Sequence, residues 1–398
     1  MVEESALSAL LEEAVAGGVV PGAVAVIVDR DGATITAAAG SLSLDDPTPV
    51  TPDTVFRLMS MTKSTVTAGA LQLVEQGALS LDQTVASVIP EFGELQVLDG
   101  YDGDAPRLRA PASQATIRQL MCHTSGLGYS FTSPDLQRYM ESQGLDDPFI
   151  SDRRILSVPL VTDPGTQWTY GTSVDWLGQV IEALSGQDLA TYMRQNVYEP
   201  LGMRETTFQP TDAQRERMMR IHERTQAGQL VVSDLELPRD WAYFPGGHGA
   251  HGTAGDYARY MAMLLGGGAF AGARVLAPES VELMFTDQIA ALPAPGPMPA
   301  VQPRYGNAVP AFPFPQGWGL GLHLALDGIP GMRHPGSGDW AGLCNCYYWV
   351  DRDAGVAGAL LTQVLPFFDL QIVGLAGAVE QATYAAMAAP ATAGMAIG

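Results

Sequence analysis

The feature that most constrains this chain is where its strand-like segments fall: at the two ends of 398 residues, with a long helical stretch between them. Near the N-terminus, "GAVAVIVDRDGATITAAAG" holds two β-rich runs around Asp31-Gly32, the pattern of a hairpin. Comparable runs return at "WGLGLHLAL", "LCNCYYWVD" and "VAGALLTQV", followed by a helix expected near 369 to 387. Strands must pair to satisfy their backbone groups, so the two ends are expected to share one sheet, with the middle inserted. The expected division is a sheet domain from residues 1–80 and 246–390, a mostly helical domain over 81–245, and a flexible tail at 391–398. Within the middle, residues 93 to 115 are rich in Asp, Gly, Pro and Arg and read as a loop.

Charge narrows the partners. With 21 Lys and Arg against 43 Asp and Glu, the net charge is −22, which repels phosphate backbones and anionic membranes and excludes nucleic acid and lipid surfaces as partners. The opening "MVEESALSALLEEAVAGG" carries acids where a secretory signal would carry basic residues, and no window is apolar for the roughly 18 residues of a membrane span. A cytoplasmic protein is expected. Its three cysteines, Cys122, Cys344 and Cys346, lack a C-x-x-C spacing and read as reduced core thiols, the last two sharing one face of a strand.

The chemistry concentrates at "FRLMSMTKSTVTAGALQLVEQG", where helical spacing is expected over 61 to 77, with Val66, Ala70, Leu73 and Val74 on one stripe and Gly77 at its end. Ser60 and Lys63 stand three apart, so on a helix both point at one spot. A partly buried lysine can take the serine's proton and convert a weak nucleophile into a useful one. The tetrapeptide is short, and Ser or Thr at a helix start is ordinary, so its meaning depends on partners. Two follow. "PGTQWTYGTSVDWLGQVIEALSG" supplies Tyr170-Gly171-Thr172 before a helix, and "RHPGSGDWAGLCNCYYWVD" supplies Trp340-Ala341-Gly342 at the start of a strand.

With these three motifs, and with "LMCHTSGL", "EPLGM" and "GGHGAHGTAGDYARYMAMLLGGG" in the same order, the chain resembles the serine β-lactamase-like superfamily. It is most similar to the esterase branch, the family VIII carboxylesterases, which share the class C β-lactamase fold. The resemblance implies an α/β fold with an antiparallel sheet flanked by helices and a mostly helical inserted lobe. It also implies a metal-free, cofactor-free acyl-enzyme mechanism on Ser60, with Lys63 and Tyr170 sharing the proton work and either one as the base. The backbone N–H groups of Ser60 and Leu343 would form the oxyanion hole, where one lost donor costs about 3 to 4 kcal/mol in other enzymes. No G-x-S-x-G pentapeptide competes for the nucleophile.

Departures from the family pattern set the expected substrate. Thr172 stands where asparagine is common, and Trp340 where Lys-Thr-Gly has its lysine, so the cation that would hold a substrate carboxylate is missing. A small or medium uncharged ester is therefore expected, ahead of a β-lactam or D-amino-acid peptide; acyl transfer to another acceptor and a silent binding protein on the same fold are the alternatives. Substrate contacts are expected from Trp340, Ala341, Gly342, Thr172, Tyr129, His248 and His334, the last being a second candidate for the Lys-Thr-Gly place. His123 reads as a structural hydrogen-bonding residue. His248 and His251 resemble a metal pair but lack an acid or cysteine to complete it, so no metal is expected. The oligomeric state is not legible.

Overall fold

The structure is a computed structural model that describes residues 2–145, 149 and 152–388. The tail expected at 391–398 lies outside the described residues. The main sheet contains β1 (Gly22–Asp29), β2 (Thr34–Ser43), β3 (Asp46–Pro49), β4 (Gln316–Trp318), β5 (His323–Ala325), β6 (Ser337–Gly342), β7 (Cys346–Asp351) and β8 (Val356–Leu361). Their spatial order is β4-β5-β6-β7-β8-β1-β2-β3, and every neighbouring pair is antiparallel. The two ends of the chain meet at β1 and β8, with Val24 opposite Leu361 and Asp29 opposite Val356.

The period-2 alternation of β1 explains the layering. Val24, Val26 and Val28 pack into the larger core, which also contains Tyr257, Met261 and Leu264 of the helix Ala254–Leu265. Ala23, Ala25 and Ile27 face the other way, toward Leu7 and Leu11 of the N-terminal helix Glu4–Ala16 and Ile372 of the C-terminal helix Leu370–Ala388. Because both faces are covered, β1 is apolar and buried from Gly22 to Val28, before it ends at Asp29. Among the described residues, no helix is long and apolar enough to cross a membrane.

Three local expectations are corrected. Residues 97–109, read as loop, form a hairpin of Val97–Asp102 and Ala105–Arg109 closed at Gly103-Asp104, so the Gly-Asp turn, with Gly103 at φ +59°, outweighs the polar composition. "WGLGLHLAL" is two strands, because Gly321 at φ +77° allows a turn between Trp318 and His323. Cys344 and Cys346 do not share a strand face: Cys344 lies in the turn before β7, next to Asn345 at φ +57°. All three cysteines are free and buried, and burial pushes the Cys122 thiol up to about 11. The segment 81–245 combines helices and loops with this hairpin and with short strands at His222–Arg224 and Leu230–Val232.

Candidate active site

Ser60 occupies a 3₁₀ turn, Met59–Met61, that runs directly into the helix Thr62–Glu75. The pair therefore straddles the junction, with Lys63 in the first helical turn. Met59 is held at φ +49°, a region that costs a non-glycine residue on the order of 1 to 2 kcal/mol, and its fully buried side chain packs with Leu343 and Leu365. The turn is stitched in place from outside. Phe56 and Arg57 pair with Gly252 and His251, Leu58 N–H donates to Ala250 O at 3.0 Å, and Ala250 N–H donates to Thr62 Oγ1 at 3.1 Å.

Lys63 is 1% exposed, and each of its three possible ammonium N–H groups has an acceptor. Nζ donates to Ser60 Oγ at 3.0 Å, to Tyr129 Oη at 3.1 Å and to Gly247 O at 2.8 Å. Tyr129, expected as a substrate contact, is thus a direct partner of the lysine. Burial above all, with Asp175 and Tyr170 nearby, keeps its phenol well above the ordinary range, so it stays protonated. Tyr170 meets Lys63 through its ring, whose centroid lies 4.7 Å from Nζ, while its Oη accepts a hydrogen bond from Trp340 Nε1 at 2.9 Å. The tryptophan that replaces the family lysine still donates to the tyrosine oxygen, as a neutral group.

Close backbone approach assembles these parts. A Cβ on Gly171 would lie 2.2 Å from Leu127 O, so only glycine lets the Tyr170 segment lie on the segment that carries Tyr129. A Cβ on Gly342 would lie 2.5 Å from Leu58 O, and glycine there brings the end of β6 against the Ser60 turn. His123 supports Tyr170 through its carbonyl, which accepts Thr169 N–H at 2.7 Å, and through its ring, 4.8 Å from that of Tyr170. Its buried Nδ1 has no hydrogen-bond partner, so the expected hydrogen-bonding role belongs to its backbone.

A pocket opens over Ser60, lined by Tyr170, Trp340, Ala341, Leu343, Phe131 and Val309 among others, and none of its lining residues is charged. Met298, Val309, Trp340, Ala341 and Phe367 also line a second, mainly apolar cavity of about 260 Å³ that continues toward the C-terminal helix. Met298 and Val309 carry no sequence signal, since the Pro-rich segment from 286 to 316 has no periodicity to assign a face, and Phe367 lies in the short connection before the C-terminal helix.

Other expected contacts lie elsewhere. Thr172 starts the helix Ser173–Ser185 with its Oγ1 buried and unpartnered, and it is absent from the pocket lining. His248 is buried behind Lys63 against Phe149 and Trp241, and burial lowers it to about 3, so it is neutral. His334 is half exposed, with Nδ1 2.9 Å from Asp351 Oδ2, and takes no part in the pocket. Trp340 thereby fills the place for which His334 competed. Among the described residues, no group of three or more His, Cys, Asp or Glu is arranged to hold a metal.

One further residue of the site belongs to none of the motifs. Asp175 lies 1% exposed in the first turn of Ser173–Ser185, and its Oδ1 accepts Gly247 N–H at 3.1 Å. An acid at an otherwise apolar position, as in "SVDWLG", was the available signal.

The profile of the β-lactamase family matches residues 7–377. The chain belongs to this family. Monacolin J acid methylbutanoyltransferase of Aspergillus terreus is 33% identical over 363 residues, covering 85% of this chain and 83% of the relative. Lovastatin esterase of Penicillium rubens is 30% identical, covering 89% and 92%. Among solved structures, unliganded simvastatin synthase of Aspergillus terreus superposes with a TM-score of 0.84 at 28% identity, covering 98% of this chain and all of the other. The structural match covers the sheet, the middle segment and the C-terminal helix alike. The chain is an enzyme of the serine β-lactamase fold, whose relatives include acyltransferases and an esterase.

Proposed function

We propose that the protein is a serine carboxylesterase that cleaves small to medium uncharged esters through an acyl-enzyme on Ser60. The observation that carries this reading is the Lys63 Nζ to Ser60 Oγ contact of 3.0 Å at the floor of a pocket without charged walls. In its amine form, Lys63 keeps two N–H groups for Tyr129 and Gly247 and turns its lone pair to the Ser60 hydroxyl. Ser60 Oγ then attacks the ester carbonyl carbon while its proton passes to the Lys63–Tyr170 unit. The backbone N–H groups of Ser60 and Leu343 receive the developing oxyanion. Collapse breaks the carbonyl–alkoxy bond, and the departing alcohol takes the proton. Water repeats the sequence on the acyl-enzyme and releases the acid.

A second reading is favoured by the relatives, several of which are named acyltransferases. An alcohol in place of water would accept the acyl group by the same steps, and the apolar cavity beside the pocket has room for a bulky acceptor. Turnover of p-nitrophenyl butyrate, measured beside nitrocefin and with added alcohols, tests both. Ester turnover well above nitrocefin turnover supports the esterase, new ester formed at the expense of free acid supports transfer, and nitrocefin turnover above ester turnover contradicts both.

A further inference from the structure

We propose that Asp175 is a positioning residue for the reaction: its carboxylate is the buried counter-charge of Lys63 and acts on it through the backbone of Gly247. This rests on the acyl-enzyme reading above. One residue links the two groups, since Gly247 N–H donates to Asp175 Oδ1 at 3.1 Å and Gly247 O accepts from Lys63 Nζ at 2.8 Å. The link tolerates nothing larger than glycine, because a Cβ at 247 would lie 2.4 Å from Asp175 Oδ2 and 3.1 Å from Tyr129 Oη.

Stability does not account for Asp175. It is 1% exposed, and Oδ2 has no hydrogen-bond partner, an arrangement that costs folding free energy. His248 Nδ1 stands 3.9 Å from Oδ1, but this imidazole is neutral because burial and Lys63 lower it to about 3. Tyr129 and Tyr243 face the carboxylate as phenols that burial holds protonated. Arg153 reaches the same region but donates to Gln179 Oε1 at 2.6 Å. Burial raises Asp175 to about 6, opposed by Lys63 whenever that amine carries its extra proton and by Gly247 N–H, which leaves the group largely ionised at neutral pH. When Ser60 gives up its proton, a carboxylate one residue beyond the amine stabilises the resulting ammonium and keeps Nζ aligned on Oγ.

Asp175→Asn tests this, because the amide oxygen can still accept Gly247 N–H while the charge is gone. Expected are a fall in kcat of about 100-fold, KM within about threefold and slower labelling of Ser60 by a fluorophosphonate, at an unchanged or higher melting temperature. A purely structural role would not slow the labelling of a folded protein. As a control, Asp256→Asn, which weakens the buried carboxylate's bonds to Thr206 and to Glu205 N–H, should lower the melting temperature and leave kcat unchanged. Folded Asp175→Asn with kcat within about threefold of wild type overturns the proposal. If that variant does not fold, Gly247→Ala serves: a kcat loss of at least about tenfold supports the link, and wild-type kcat in the folded variant overturns it. Wild-type protein that neither turns over esters nor labels on Ser60 would refute the acyl-enzyme reading and this proposal with it, whereas an active wild type with an equally active Asp175→Asn refutes this proposal alone.

Discussion

Strand β6 separates two largely enclosed basic side chains that are treated in opposite ways. On the face away from Trp340, Asp339 and Glu380 enclose Arg333: Arg333 Nε and Nη2 donate to Glu380 at 2.6 and 2.9 Å, Nη1 donates to Asp339, and Asp339 also meets His323 Nδ1 at 2.9 Å. Desolvation works against the guanidinium, yet the two carboxylates hold it charged above its ordinary range. On the face toward Ser60, the three acceptors of Lys63 are a serine hydroxyl, a tyrosine hydroxyl and a carbonyl, all neutral, and its carboxylate stands one residue further off. Direct pairing fixes a charge for structure, while neutral acceptors with a distant counter-charge leave a proton free to move.

Substitutions can break that contrast. The largest effect is expected from Ser60→Ala, which should lower ester turnover by about 10⁴-fold or more without changing the fold, as judged by circular dichroism and initial rates. Lys63→Met, which keeps length but not the amine, should cost about 10³-fold in kcat. Arg333→Met should do the reverse: stripping two buried carboxylates of their cation is expected to cost about 3 to 5 kcal/mol of stability in denaturant unfolding, with kcat per folded molecule retained. Equal losses of activity from Arg333→Met and Lys63→Met would erase the distinction between the two faces. Trp340→Phe, which removes only the indole N–H at 2.9 Å from Tyr170 Oη, should reduce kcat by about tenfold.

The smallest expected effect is on pH-dependent stability. Burial raises the folded Asp175 to about 6 from the ordinary aspartate value of 3.8, so the folded state binds the extra proton between those values. Its contribution to stability is full below the lower value and is lost as pH rises through about 6. Melting temperatures of Asp175→Asn and wild type should therefore diverge in favour of the variant between pH 4 and 7. A constant difference would show that the carboxylate ionises over the same pH range in the folded and the unfolded chain.

Much of this was legible in the chain. The hairpin at Asp31-Gly32, the pairing of the two chain ends and the order of Ser60, Lys63, Tyr170 and Trp340 follow from periodicity and motif. Local polarity misled at 97–109, where a two-residue turn decided the structure. Single-residue motifs also cannot show which way a side chain points. Thr172 and His334 sit within or beside the right motifs, but Thr172 is absent from the pocket lining and His334 is partnered elsewhere by Asp351. Tyr129 and Asp175 act on Lys63 from 66 and 112 positions away, and the glycine that joins one of them to it lies a further 72 positions along. Such contacts exist only once the chain has folded.

The most direct test of the central claim is intact-mass analysis of wild-type protein quenched in acid during turnover of p-nitrophenyl butyrate. The account predicts a mass increase of one butyryl group, mapped by peptide sequencing to Ser60 and missing from Ser60→Ala. Ester turnover that proceeds at the same rate in Ser60→Ala, or an adduct on any other residue, would contradict it.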